Sequence, residues 1–269
     1  MKPHPPPDPK SSIWAWSAYH LRFCRTQRGL SGDAVGKILN CSKATVSRLE
    51  SGETKLDEGQ AAAADKAWNT GGVFSIMLWY ASLGHDPDWK KQHADLEARA
   101  YIVKYWELAL IPGLLQTEEY ARASLVAGGV KDVEAALDSR MARQAVLARD
   151  DPPVLWVLLF ESALDVPVGD EATMRRQLDY LLDTSESPDI AIRVVPRRAG
   201  AHPGLDGAFK IMTVESGDVA FVEAPGGGRL VLSKAEVRSY AIRYDRIGQL
   251  ALPEGPSRDL IKRVMEAMQ

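Results

Sequence analysis

Lys43-Ala-Thr-Val-Ser-Arg48 is the stretch of this sequence whose residue types and spacing point most directly to a chemistry, and that chemistry is recognition of duplex DNA. Arg48 and Lys43 can donate to guanine O6 and N7 or to a phosphate, and Ser47 can take either role. Ser42 and Thr45 are expected to position the DNA backbone, and Ala44 shares the outward face with Ser47 and Arg48. Catalysis is not expected. Ser, His and Asp all occur, but without a Gly-x-Ser-x-Gly elbow or a paired-carboxylate motif in a recognisable setting. The five histidines (4, 20, 85, 93 and 202) show no metal-ligand spacing, so neither a metal nor a cofactor is expected. His85 and His93 with Asp86 and Asp88 read as a solvated linker. Pro225-Gly-Gly-Gly228 lacks the Lys-Ser/Thr of a phosphate-binding loop and sits between two β-type runs, so it reads as a hairpin loop. Cys24 and Cys41 read as small hydrophobes inside a bundle, with a redox pair as the alternative.

A DNA-reading helix needs elements that hold it out from the protein. A helix-turn-helix requires a small residue where its two helices cross, and Gly36 supplies one. It requires a turn residue tolerant of φ > 0, and Asn40 supplies that. Apolar residues must lock the second helix onto the first, and Val46 and Leu49 stand at i, i+3. With those two inward, Ala44, Ser47 and Arg48 face outward, flanked by Lys43 and Thr45, and the start of such a helix enters the major groove.

Around this motif the spacing predicts a helical bundle. A first helix runs over Ser17–Arg28 and stops at Gly29. Ser31 caps a second through Leu39, Ser42 caps a third through Ser51 with Gly52 as its stop, and Asp57–Asn69 and Phe74–Leu83 follow. Residues 1–52 hold eight Lys or Arg against three acids, +5, in a chain whose formal charge is −3, which leaves −8 for the rest. A basic end on an acidic body fits a DNA reader joined to a domain with another task. The chain has 269 residues and only two cysteines. No apolar run approaches a membrane span, and the Pro-rich start lacks the apolar core of a signal peptide, so a cytoplasmic protein without membrane attachment is expected.

Beyond the bundle, a polar stretch and then helices over His93–Tyr105, Gln116–Ala127 and Val133–Arg149 are expected. After Asp151-Pro-Pro153 the pattern turns to β-type runs: Val154–Phe160, Ile190–Val195, Ala208–Val214, Val219–Val222 and Leu230–Leu232. A helix over Arg175–Leu182 interrupts them, and helices over Ala235–Leu250 and Ser257–Met268 close the chain. The expected organisation is α+β. A disordered tail spans 1–12, a helix-turn-helix bundle 13–83, a linker 84–95, and a larger α+β domain with a mixed or antiparallel sheet 96–269.

The run Thr45-Val-Ser-Arg-Leu-Glu-Ser-Gly52 resembles the signature of the Xre/phage-repressor helix-turn-helix family. That family usually has Gln where this chain has Gly32, which removes a contact to DNA, and Ala where it has Gly36, which should weaken that helix by up to roughly 1 kcal/mol. The remainder also resembles a family. Ile111-Pro-Gly-Leu-Leu-Gln-Thr-Glu-Glu-Tyr-Ala-Arg122, Arg140-Met-Ala-Arg-Gln144, Val195-Pro196, Ala199-Gly-Ala-His202, Gly207-Ala-Phe209 and Val222-Glu223 recur in that order in the C-terminal domain of WhiJ-like, antitoxin-like regulators of high-GC filamentous bacteria. The resemblance implies a developmental or antitoxin-like regulator, often encoded beside a small protein that relieves DNA binding.

The expected function is therefore a sequence-specific transcriptional regulator, a repressor that binds a double-stranded DNA operator as a homodimer. Its C-terminal domain would receive a signal from a small protein encoded by a neighbouring gene. A small-molecule-sensing regulator and an antitoxin-like assembly protein are the alternatives. Candidate contacts for the partner or effector are the loop residues Arg197, Arg198 and His202, together with Tyr105, Trp106 and Tyr120 lining an apolar groove; plain core is the other reading of the aromatics.

Overall fold

The structure, a computed structural model, describes residues 7–83, 89–223 and 228–268. The chain divides into two compact units, residues 1–89 and 90–269. Among the described residues no helix is long and apolar enough to cross a membrane. His4, His85, Asp86-Pro-Asp88 and Pro225-Gly-Gly227 of the expected hairpin loop lie outside the described residues.

The first unit is a bundle of five helices among the described residues: α1 (Ile13–Gln27), α2 (Gly32–Ile38), α3 (Lys43–Ser51), α4 (Glu58–Trp68) and α5 (Val73–Leu83). The start of α1 lies four residues before the expected Ser17, because Ser12 caps it by accepting from the Ala15 amide. Residues 8–11 of the expected tail form a turn around Asp8, which accepts from the amides of Lys10 and Ser11. Ser31 and Ser42 cap α2 and α3, and Asp57 and Gln60 cap α4 reciprocally. Asn40 takes φ 51° in the turn, and Gly52, at φ 76°, ends α3. Asp65, near the end of α4, accepts from the amides of Phe74 and Ser75 and so ties down the start of α5. Leu21, Val35, Val46, Leu49, Ala61 and Phe74 centre the core.

The second unit is a six-stranded mixed sheet with helices. Its strands are β1 (Ile102–Glu107), β2 (Val154–Phe160), β3 (Ile190–Val195), β4 (Phe209–Val214), β5 (Gly217–Val222) and β6 (Arg229–Val231). They run in the order β3-β2-β1-β4-β5-β6. The first three are parallel and the rest antiparallel, so β1 joins the two halves. The helices are α6 (Trp89–Ala98), α7 (Glu118–Ala127), α8 (Val133–Arg143), the single turn α9 (Ser162–Asp165), α10 (Glu171–Thr184), α11 (Lys234–Gly248) and α12 (Glu254–Glu266). The crossover from β1 to β2 holds α7 and α8, and that from β2 to β3 holds α9 and α10, as parallel neighbours require.

Two expectations fail here. The helix expected over His93–Tyr105 ends at Ala98, and Ile102-Val-Lys-Tyr-Trp-Glu107 is the central strand. Lys104 and Glu107 interrupt the apolar residues without a clean two-residue alternation, which leaves the stretch open to a helical reading. The linker expected over 84–95 also overlaps α6, whose His93 and Glu97 are buried in the second unit.

Candidate nucleic-acid interface

The recognition face is built by locking one side of α3 and leaving the other bare. Val46 and Leu49 are buried, while Ser42, Lys43, Ala44 and Arg48 are exposed and Thr45 and Ser47 half-exposed. The Ser42 hydroxyl accepts from the Thr45 amide at 3.1 Å and lies 2.9 Å from the Thr45 hydroxyl, so both are part of the cap that begins α3. Lys43 sits 3.3 Å from Asp33 of α2, and the Arg48 guanidinium reaches Thr45 Oγ1 at 3.4 Å. Both contacts are solvent-exposed and weak, so a phosphate or a guanine can replace them at small cost.

The crossing of α2 and α3 is tighter than the sequence suggested. The Cys41 amide donates to the Gly36 carbonyl at 2.8 Å, and a Cβ at position 36 would stand 2.5 Å from the Cys41 carbonyl oxygen. Gly36 is therefore a requirement of this crossing, and the expected gain from alanine is overridden by a backbone clash. At position 32 a side chain would run against Lys43 Cγ at 3.2 Å, so Gly32 leaves room for that lysine.

The residue that sequence reasoning left unused is Glu50. It is buried, and both its oxygens accept from Arg25 of α1, at 2.5 and 2.8 Å. Arg25 also donates to the Leu30 carbonyl at 3.3 Å. A bidentate, partly buried arginine–carboxylate pair fixes orientation as well as position, so the far end of α3 is pinned to α1. The available signal was an acid next to inward Leu49 on a two-turn helix, which needs a cation facing it. Cys24 is buried and Cys41 half-buried, and burial pushes both thiols up. Over residues 1–89 ten Lys or Arg meet nine acids, so the basic excess belongs to the first three helices and not to the unit as a whole.

The second set of candidate residues behaves differently. Tyr105, Trp106 and Tyr120 are at most 1% exposed and line no open groove. Tyr105 donates to Glu97 at 3.1 Å, Trp106 Nε1 donates to the Gly204 carbonyl at 2.8 Å, and the Tyr120 hydroxyl accepts from the Ile111 amide at 3.3 Å. The groove expectation is corrected to core, because each ring is fully buried and its polar atom is satisfied inside the unit. His202 is half-buried between the rings of Trp106 and Phe160, and its Nδ1 accepts from the Gly204 amide. Arg197 and Arg198 are exposed, with Arg197 held by both oxygens of Asp165 at 2.6 Å.

The Ile111–Thr117 segment is an inner loop satisfied by side chains. Gln116 donates to the Ile111 carbonyl, Gln144 to those of Gly113 and Gln116, and Gln177 to that of Leu115 while accepting from the Thr117 amide. Arg140 donates to Gln116 and Ser124. A buried loop needs such partners for its backbone, so these residues are architectural.

No curated protein and no solved structure matches the chain. A model described as a helix-turn-helix domain matches residues 18–73, from within α1 to the first residue of α5. Residues 91–263, more than half of the chain, match the model described as Domain of unknown function (DUF5753), and the chain belongs to that family.

Proposed function

We propose that this chain is a sequence-specific DNA-binding transcriptional regulator, a repressor acting as a homodimer on an inverted-repeat operator. The observation that carries the reading is α3 itself. It is a capped two-turn helix pinned by Val46, Leu49 and the Arg25–Glu50 pair, with Lys43, Ala44 and Arg48 bare to solvent. A single helix of this length covers about half a site, and readers of this kind bind two half-sites roughly one helical turn apart. The contacts assigned to DNA are Ser42, Lys43, Ala44, Thr45, Ser47 and Arg48.

The test is selection of binding sites from random duplex DNA, followed by mobility shift with Arg48→Ala. That variant is expected to weaken operator binding by about 1–3 kcal/mol and to relax preference at one base pair. Unchanged affinity and preference in a folded Arg48→Ala protein overturn the assignment, and light scattering that finds a monomer both free and on DNA overturns the dimer.

The second unit, in this reading, receives a signal from a small protein, as the resemblance to WhiJ-like, antitoxin-like regulators supports. The exposed Arg197–Arg198 loop is the part of the expected contact set still available to it. A partner need only bind one dimer geometry more tightly than the operator-competent one. Co-purification with the neighbouring gene's product, then operator binding with and without it, tests this. A second reading, with a small molecule in the partner's place, is supported by an open cavity beside α8.

A further inference from the structure

We propose that the second unit holds a binding site for a small aliphatic carboxylate, with the Arg143 guanidinium receiving the carboxylate head and an alanine-walled cavity receiving the tail. This rests only on the second unit and goes beyond the DNA reading.

The first observation is a charge imbalance inside the fold. Glu97 of α6 is 2% exposed, and two cations face it: Lys210 Nζ of β4 at 3.0 Å and Arg143 Nε of α8 at 3.6 Å. His93, one turn earlier on α6, stands 3.7 Å from the same carboxylate. Burial, with Lys210 and Arg143 nearby, holds His93 down to about 3 against the pull of Glu97, so it is neutral near pH 7. The next carboxyl, Glu107, is buried, and burial together with Glu223 pushes it well above the usual range, against the pull of Lys210. Buried Lys210 and partly exposed Arg143 therefore share one carboxylate, Glu97, within ion-pair distance among the described residues.

The second observation is that the excess cation is also unsatisfied. Lys210 has a hydrogen bond to Glu97 and packs on the rings of Tyr105 and Phe221. Arg143, only partly exposed, makes no hydrogen bond among the described residues. Its buried Nε and the facing Glu97 Oε2 are both unpartnered across a gap too long for a hydrogen bond. Its NH2 lies beside Gly113, where even a Cβ would come within 2.8 Å. A guanidinium carries five donors in a planar fork suited to a carboxylate, and here none of them makes a hydrogen bond among the described residues.

The third observation identifies the rest of the ligand. Arg143 and Glu97 line an open cavity of about 430 Å³ between α6 and the end of α8. Its other walls are Ala94, Ala98, Ala142, Ala145 and Val146, with Arg149 beside them. Arg149 is already committed to the carbonyls of Ala98, Ala100 and Asp151. The volume falls in the range of small-ligand sites, which are mostly apolar with a few fixed polar groups. Methyl walls select an alkyl body over a sugar or a nucleotide, and one guanidinium that makes no hydrogen bond selects one anionic head.

Titration calorimetry on the full-length protein, without DNA, with butyrate, hexanoate and hexanamide as probes tests the site. Saturable binding is expected, tighter for hexanoate than for butyrate, with hexanamide at least about tenfold weaker because it lacks the charge. Arg143→Met is expected to lose at least about tenfold in hexanoate affinity. Ala98→Leu combined with Ala145→Leu narrows the cavity from opposite walls without touching the charged cluster, and keeps the test open where Arg143→Met does not fold. That double variant is expected to melt like wild type and to lose hexanoate by a similar factor. Three results overturn the proposal: no saturable carboxylate binding at millimolar concentrations, hexanamide binding as tightly as hexanoate, or hexanoate binding unchanged in the double-leucine variant. None of them bears on operator binding, which has its own assay.

Discussion

The first unit carries its distinctive charges on its surface, and the second carries them inside. Lys43 and Arg48 sit in solvent on one face of a short helix, with partners that water can replace. His93, Glu97, Tyr105 and Lys210 are buried together under α6 and α8, drawn from positions more than a hundred residues apart. Surface charge in a fixed frame favours a partner that arrives from outside with opposite charge, as DNA does. Interior charge couples stability to its own completeness, and therefore to protons and to small ions. Substitutions in the two regions should accordingly fail in different assays.

The largest expected effect is in the interior. Lys210→Met leaves Glu97 buried with only the looser Arg143 pair, and should destabilise the second unit by about 3–5 kcal/mol. Its melting transition should fall by roughly 10 °C while that of the first unit stays put. A loss below that of an ordinary surface change would mean that water already solvates the cluster.

Protons should separate the regions next. In the fold His93 is held near about 3 and Glu97, although burial opposes it, is brought to about 2 by Lys210 and Arg143, against ordinary values of 6.5 and 4.5. Both folded values lie below the unfolded ones, so the stability they contribute is complete above the unfolded value and is lost as pH falls through the window beneath it. Glu107 runs the other way, since its raised value makes its contribution complete below 4.5 and declining above. Comparing wild type with His93→Leu isolates the histidine. The variant should gain on wild type as pH falls from 6.5 toward 4.5, by as much as about 2 kcal/mol in urea unfolding of the second unit. A difference that does not change with pH would place His93 in contact with solvent.

A third, smaller effect belongs to the frame of the first unit. Gly36→Ala trades a helix-propensity gain of up to about 1 kcal/mol against a Cβ placed 2.5 Å from the Cys41 carbonyl, and should cost about 1–2 kcal/mol net. A more stable Gly36→Ala protein in urea unfolding would show that the crossing has slack.

The same contrast explains what could be read in the sequence. Ser31, Asn40, Ser42 and Gly52 act through neighbours within four residues, and each does what its type and spacing indicated. Strands β2 and β3 carry dense β-branched or apolar runs and match their expected bounds. Strand β1 reads as helix in the sequence because its neighbours β2 and β4 lie roughly 50 and 100 residues on, and its run follows a true helix, α6, with only a short break. Glu97, Arg143 and Lys210 have no local signature either, since a charged residue on a helix or strand ordinarily faces water and its burial is decided by distant partners. Gly36 was legible as small but not as obligatory, because the oxygen it avoids belongs to the following turn.

The smallest expected effect tests whether the outer charges are as loosely held as the inner ones are fixed. Asp33 and Lys43 are both well exposed, 3.3 Å apart, so Asp33→Asn should change stability by less than about 0.5 kcal/mol. Its effect on DNA should be larger in relative terms. Asp33 places a negative charge beside the start of α3, where phosphates would approach, and it holds the lysine that would meet them. Removing that charge should tighten binding to any duplex by about two- to threefold and steepen the salt dependence of binding by up to about one counterion. Base preference should not change, because neither Asp33 nor a phosphate contact reads sequence. If Asp33→Asn weakens DNA binding instead, the aspartate is orienting Lys43 toward the groove, and the recognition face is a fixed array of the kind found inside the second unit.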